Sequence, residues 1–284
     1  MGVAGTAYNL WRNDMDTLFR RLGDVHETVA PDGVHAAWAR AKGARWGVGG
    51  AFKYSGDYTE FEGGVDFFTA KTEHGRHYAG AAISFMDGNS SYAAGRGDSF
   101  ALGVGLYDTF VREDGQHLDL SLKFEQGVRH SGDAGSLGWS IGAEYGWKLP
   151  VRPGWFVEPG VKVVTGTLSG DSGRDTGGIS MNFDRVNSLW LHAGLRAGYE
   201  SDRVQFFAKA AWNRDWSGNG SVTMRSGGER LHLTEDYDAG WLEYGAGLTV
   251  KLQKNLQLYM DFDRGSGGNY ERKWAWDAGL RWNF

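Results

Sequence analysis

The sequence predicts an all-β transmembrane barrel of twelve antiparallel strands with an N-terminal α-helix plugging the lumen, and three observations predict it. Apolar and polar residues alternate over runs of ten or more residues, and the chain ends in one of them, "KWAWDAGLRWNF". The connections between runs alternate between short and long. The composition, with 45 Gly, 13 Trp, 12 Tyr and 15 Phe against 4 Pro and no Cys, favours strands, sharp bends and aromatic-lined surfaces.

The alternation is a strand signal because successive side chains of a strand point to opposite faces. In the terminal run Phe284, Trp282, Leu280, Ala278, Trp276 and Trp274 share one face, and Asn283, Arg281, Gly279, Asp277, Ala275 and Lys273 share the other. "WLEYGAGLTVKL" likewise sets Leu242, Tyr244, Leu248 and Val250 against Trp241, Glu243, Gly247 and Thr249. Runs of this length suit a tilted strand crossing hydrocarbon, whereas strands of soluble proteins usually stop at about five or six residues. Large aromatics at the ends of the apolar face, such as Tyr199, Trp212, Trp147 and Phe284, fit an interfacial girdle.

Twelve such runs centre roughly on residues 40, 64, 81, 104, 122, 143, 161, 193, 209, 246, 259 and 278. Short connections ("KTEHGR", "REDGQ", "PVRPG", "SDR", "QKN") alternate with long ones at 88–98, 169–179 and 217–236. Short turns on one side and long loops on the other mark an outer-membrane barrel, with the short turns and the C-terminus periplasmic and the long loops extracellular. A mean hydropathy of -0.46 is compatible with this, because lipid-facing and lumen-facing residues cancel in any average. No stretch has the roughly 18 consecutive apolar residues of a spanning helix. A net charge of -5 gives no basic footprint for nucleic acid.

The first thirty residues read differently. "NLWRNDMDTLFRRLGDV" spaces Trp11, Met15, Leu18, Leu22 and Val25 by three or four residues, which predicts a helix from about Leu10 to Val25 with Asn9 or Thr6 as its cap. Pro31 and Gly33 then turn the chain, dividing it into a helical plug or linker over 1–32 and a barrel over 33–284. The strands' inward faces carry Gly103, Gly142, Gly166, Gly194, Gly247, Gly279 and further glycines, so something backbone-sized fits the bore. A helix about 10 Å across is such an object.

A helix with an "RRLGD" segment, a Pro/Gly turn, a first strand reading "HAAWARAKG", twelve strands and a terminal "GLRWNF" together resemble the C-terminal translocator domain of classical monomeric autotransporters. The resemblance implies that a long passenger precedes Met1, that any signal peptide lies upstream of it, and that this part stays in the outer membrane as a monomer, in contact with lipid. It also implies that Trp282 and Phe284 are read by the barrel-assembly machinery. In self-cleaving members an asparagine in the helix attacks its own backbone carbonyl. Matching the "RLG" segment to Arg21, Leu22 and Gly23 places the scissile pair at Asp16 and Thr17, where an Asp stands in place of the usual Asn.

On the helix, Trp11, Arg12, Met15, Leu18, Arg20, Arg21 and Leu22 are the expected plug residues. The lumen charges expected to face them are Glu125, Glu144, Glu158, Lys162, Arg196, Glu243 and Arg281, with the acids bridging to Arg12, Arg20 and Arg21. His192 and Lys162 have no catalytic partner identifiable from sequence, no G-x-S-x-G motif occurs, and "GDSGRDTGG" lacks the spacing of a calcium loop. No metal and no cofactor is expected, and enzymatic activity is limited at most to one self-cleavage. A passive twelve-stranded pore and an outer-membrane barrel enzyme are the competing readings; a leading helix argues against the first.

Overall fold

A computed structural model describes residues 2–15, 35–50, 52–93, 95–129, 135–174 and 178–284. Twelve strands form the barrel: β1 (Ala36–Val48), β2 (Tyr54–Thr72), β3 (Gly75–Tyr92), β4 (Gly95–Arg112), β5 (Gln116–Arg129), β6 (Leu137–Trp147), β7 (Trp155–Leu168), β8 (Val186–Glu200), β9 (Val204–Ser217), β10 (Ala239–Gln253), β11 (Leu256–Gly267) and β12 (Tyr270–Asn283). Each pairs antiparallel with its neighbours, and β1 closes the ring on β12, with Ala36 opposite Asn283 and Val48 opposite Tyr270. Closure leaves no barrel strand with an unpaired edge, which hydrocarbon requires because it offers no hydrogen-bond partner.

The two faces follow the alternation. Leu242, Tyr244 and Leu248 are exposed on the outer surface while Trp241, Glu243 and Thr249 are buried in the lumen. The alternation breaks at β-bulges: one in β2 leaves both Phe67 and Phe68 exposed, and one in β12 changes what faces the lumen. The second lets Arg45 pair with Trp274 and Trp46 pair with Arg272, skipping Lys273. The extra residue reverses the parity, so Arg272 is buried in the lumen where strict alternation places Lys273.

The loops also depart from expectation. Residues 88–98 are not a long loop: β3 runs to Tyr92 and β4 starts at Gly95, so the hairpin simply extends. The stretches 169–179 and 217–236 contain strands of their own. Glu229–Asp236, Asn219–Ser226, Ser180–Phe183 and Asp171–Arg174 form, in that spatial order, a four-stranded antiparallel sheet at the long-loop end. Gly227 and Gly228, at φ +54° and +92°, make the two-residue turn of the hairpin at one edge of this sheet.

The inward glycines serve two purposes. A Cβ at Gly138 would come 2.5 Å from the Trp11 indole nitrogen and one at Gly166 would come 2.9 Å from the same ring, so these two admit the helix. Most of the others admit a side chain or backbone from a neighbouring strand. The Tyr259 ring lies 2.3 Å from where a Gly279 Cβ would sit, and Phe207 lies 2.3 Å from that of Gly247.

The plugged lumen as candidate functional site

One helix, α1 (Gly2–Met15), lies inside the barrel. It begins well before the expected Leu10, and the rest of the expected span, including Asp16, Thr17, Leu18, Arg20, Arg21 and Leu22, lies outside the described residues. Thr6 and Asn9 are buried within α1 and do not cap it. The physical reason lies in the environment. Asn9 Nδ2 donates to the Gly5 carbonyl at 2.8 Å and Asn13 Nδ2 to the Asn9 carbonyl at 2.7 Å, so both side chains satisfy themselves on the preceding turn.

Two polar clusters hold α1. In the upper one, the Arg12 guanidinium lies 4.2 Å from the Tyr270 ring centre and 5.1 Å from that of Trp241, and donates to Asp215 at 3.5 Å. Tyr8 donates to the same carboxylate at 2.5 Å and stacks on Tyr237 at 4.8 Å. Ser188 supplies a further donor to Asp215 at 2.7 Å. A buried carboxylate is tolerable only with such partners.

The lower cluster surrounds the last turn of α1. Lys123 Nζ lies 2.6 Å from Asp14 and Lys42 Nζ 3.7 Å from it, while the Glu125 carboxyl stands beside that of Asp14. Lys42 also pairs with Glu60 at 2.8 Å, and Lys123 with Glu62 at 3.4 Å. Arg40 bridges Glu62 to Asp277. Beside them Arg272 donates to the Asn13 Oδ1 at 3.1 Å and to Glu243 at 2.8 Å. Helix and wall are therefore stitched by opposite charges in a bore from which bulk water is largely displaced.

The structure distributes the expected lumen charges unevenly. Glu125 touches α1 directly, and Glu243 reaches it through Arg272. Glu144, Glu158, Lys162 and Arg196 line an adjoining cavity of about 160 Å³, whose wall also includes Glu243 and in which Arg196 pairs with Glu158 at 2.7 Å. Arg281 pairs with Asp66, itself an acceptor from Tyr107 at 2.6 Å. The partner of Arg12 is Asp215, not one of the four acids expected from sequence, because β9 brings Asp215 beside the helix. Trp11, Arg12 and Met15 are all buried. Trp282 and Phe284 are 51% and 56% exposed on the outer face, their rings 5.1 Å apart.

Asp215, Lys42, Lys123 and Arg272 escape a sequence reading of the site. Parity places the first three inward, but nothing in the sequence says which of them meets the helix. His192 is hydrogen-bonded to Asn213 at 2.9 Å, and Lys162 Nζ sits 4.7 Å from the Trp190 ring centre, both structural contacts. Among the described residues no cluster has the donors of a metal site.

The loop sheet covers the N-terminal end of α1: Ala4 packs against Phe183 and Val222, as do Phe52, Met181, Met224 and Leu233. Glu235 lies on this underside, beside Tyr54, Tyr237 and Asn9 of a cavity of about 260 Å³. Burial pushes its carboxyl up to about 7. The folded lid therefore favours the neutral acid, and its contribution is fully present below the ordinary carboxylate pKa and is lost as pH rises through about 7. Residual conductance of the plugged barrel should rise between pH 5 and pH 8, and Glu235→Gln should flatten that dependence; an unchanged profile in the variant would assign the titration elsewhere.

The Autotransporter beta-domain family matches residues 37–263. The chain is 26% identical over 299 residues to the Serine protease sat autotransporter of Escherichia coli O6:H1, covering 98% of this chain and 22% of that protein, so it spans about a fifth of the relative's length. The β-domain structure of the Bordetella autotransporter Brka superposes with a TM-score of 0.75 at 23% identity, over 88% of this chain and 100% of that one. The translocator domain of autotransporter NalP from Neisseria meningitidis superposes with a TM-score of 0.70 at 14% identity, over 98% of each chain.

Proposed function

The chain belongs to the autotransporter β-domain family, and from that we propose that this outer-membrane translocator barrel carries a passenger polypeptide joined to the N-terminal end of α1 through its bore and holds it at the cell surface. One observation carries the reading: α1 lies in the lumen with Ala4 against the sheet built by the long loops. A polypeptide continuing from that end leaves the bore on the long-loop side. In this reading the long loops are extracellular, the short turns and Phe284 are periplasmic, and one barrel acts alone. The exposed Trp282 and Phe284 are offered to the assembly machinery. A passive pore has no use for the charge pairs that hold α1 in the bore.

The bore's chemistry is limited, in this proposal, to a single cleavage between Asp16 and Thr17. Both expectations meet in one experiment. An epitope-tagged segment placed upstream of Gly2 behind a secretion signal should be removed by protease added to intact cells, with the barrel heat-modifiable on gels. A tag protected in the periplasm beside a correctly inserted barrel would overturn export. The mass of the membrane-retained fragment reads cleavage: a start at Thr17 supports Asp16 as the nucleophile, and any other start removes it.

A further inference from the structure

The loop sheet has a second face, opposite the one that covers α1. Cross-strand register places Arg230 opposite Arg225, Arg225 opposite Ser180, and Ser180 opposite Arg174, so three arginines and one serine form a single row across all four strands. Residues directly opposite one another share a face. The same register adds Ser172, Asn182, Ser221, Thr223, His232 and Thr234. No apolar residue occurs on this face.

The row has no structural rationale. Like charges directly opposite one another destabilise a sheet pair, yet Arg225 and Arg230 are such a pair, and all three arginines are exposed. Among the described residues none of the three has a carboxylate partner; Arg174 donates only to Ser180, at 3.4 Å. The one acid of this face among those residues is Asp236, at the opposite end of its strand. This concentration of positive charge stands on a chain whose net charge is -5.

We propose that this face binds the phosphorylated saccharide headgroups of the lipopolysaccharide around the barrel. Strand spacing puts neighbouring arginines about 5 Å apart and the third about 10 Å further on. Such a row suits several anionic groups along one ligand better than one small ion. Guanidinium forks donate pairwise to phosphate oxygens, and the serine, threonine and asparagine side chains between them match sugar hydroxyls. A protein partner would need an apolar centre to its interface, and this face offers none. The inference rests on the proposed orientation, with the long loops outside the cell.

The test uses the refolded full chain in detergent, with deacylated, phosphorylated core oligosaccharide of lipopolysaccharide as the probe. Binding should weaken as salt rises, and the triple variant R174Q/R225Q/R230Q should bind at least about ten-fold more weakly, the loss expected when several charge-assisted contacts are removed. Heat-modifiable mobility checks that the variant is folded. Equal binding by variant and wild type, or equal binding of the dephosphorylated oligosaccharide, would overturn the proposal. Displacement by inorganic phosphate at matched phosphate concentration would reduce the row to a simple anion site and equally overturn it, and tighter binding of an acidic peptide would assign it to a polypeptide. Orientation is read separately: the chain has no cysteine, so Ser226→Cys gives a unique thiol at the sheet's tip. Labelling by an impermeant maleimide in intact cells supports the orientation, and labelling only after permeabilisation overturns it and with it the lipopolysaccharide assignment, whatever the binding in detergent.

Discussion

Deleting residues 1–32 will raise the single-channel conductance of the barrel by at least about three-fold, because α1 fills the bore it occupies. Twelve strands about 4.8 Å apart and tilted about 40° enclose a backbone cylinder roughly 24 Å across. The axis of a central helix then lies about 12 Å from the wall, close to the roughly 10 Å at which packed layers meet, and little free section remains. Planar-bilayer recording measures the change, and a conductance equal to that of the full chain would place α1 outside the conducting path. A point change gives a graded version. Arg12→Ala removes the cation held between Tyr270, Trp241 and Asp215 and leaves that carboxylate with Tyr8 and Ser188 alone. Breaking a buried pair costs about 3–5 kcal/mol. The variant should show frequent brief openings to the level of the deletion, with an unchanged open level, since the wall is the same and only residence of the helix has shortened.

The barrel is legible in the sequence because lipid imposes one rule on every strand. Leu242, Leu248, Met260, Phe262 and Leu280 all face hydrocarbon, and each can be placed by counting in twos from its neighbour. That counting fails where the backbone inserts a residue. The bulge at Lys273 is unmarked by any Gly or Pro in "ERKWAW", so the lumen role of Arg272 is invisible until the register is known. The loop sheet was open to a better reading: "SVTMRSGGERLHLTED" is an alternating pair of strands around Gly-Gly, a strong hairpin signal masked by the long-loop pattern of the barrel.

The plug is harder to read for a different reason. A helix in water buries one stripe, and period alone finds it. One enclosed by a polar lumen is buried all round, so Thr6, Asn9, Arg12, Asn13 and Asp14 are as inaccessible as Tyr8 and Trp11 and blur the stripe that would locate its start. The partner of each polar group is set by barrel closure across long separations, as for Arg12 and Asp215, which lie 203 positions apart. Local sequence carries the charges, and topology alone pairs them.

The seam between β1 and β12 separates what folds the barrel from what delivers it to the membrane. Phe284 extends the ladder by one pair, exchanging hydrogen bonds with His35 at 2.9 and 3.1 Å beyond the last paired residue of β12. Deleting Phe284 forfeits those two bonds at the water interface, where each is worth about 1 kcal/mol, and leaves the ladder from Ala36 to Val48 intact. Refolding into detergent should therefore survive, while insertion in cells falls if the terminal aromatic is the signal that the machinery reads. Leu280→Lys acts on the other link. Leu280 is 45% exposed on the outer face, opposite Ala39 on one side and Leu258 on the other. Four residues along a tilted strand put it about 10 Å above Phe284, well inside an apolar band about 25 Å tall, where a lysine costs roughly 2–4 kcal/mol. That loss acts on the folded barrel itself and should lower both refolded yield and insertion. Heat-modifiable mobility after refolding and outer-membrane yield in cells measure the two steps side by side. Should loss of Phe284 block refolding in detergent as fully as it blocks insertion, its ring would be part of the barrel's own folding and no signal would need to be invoked.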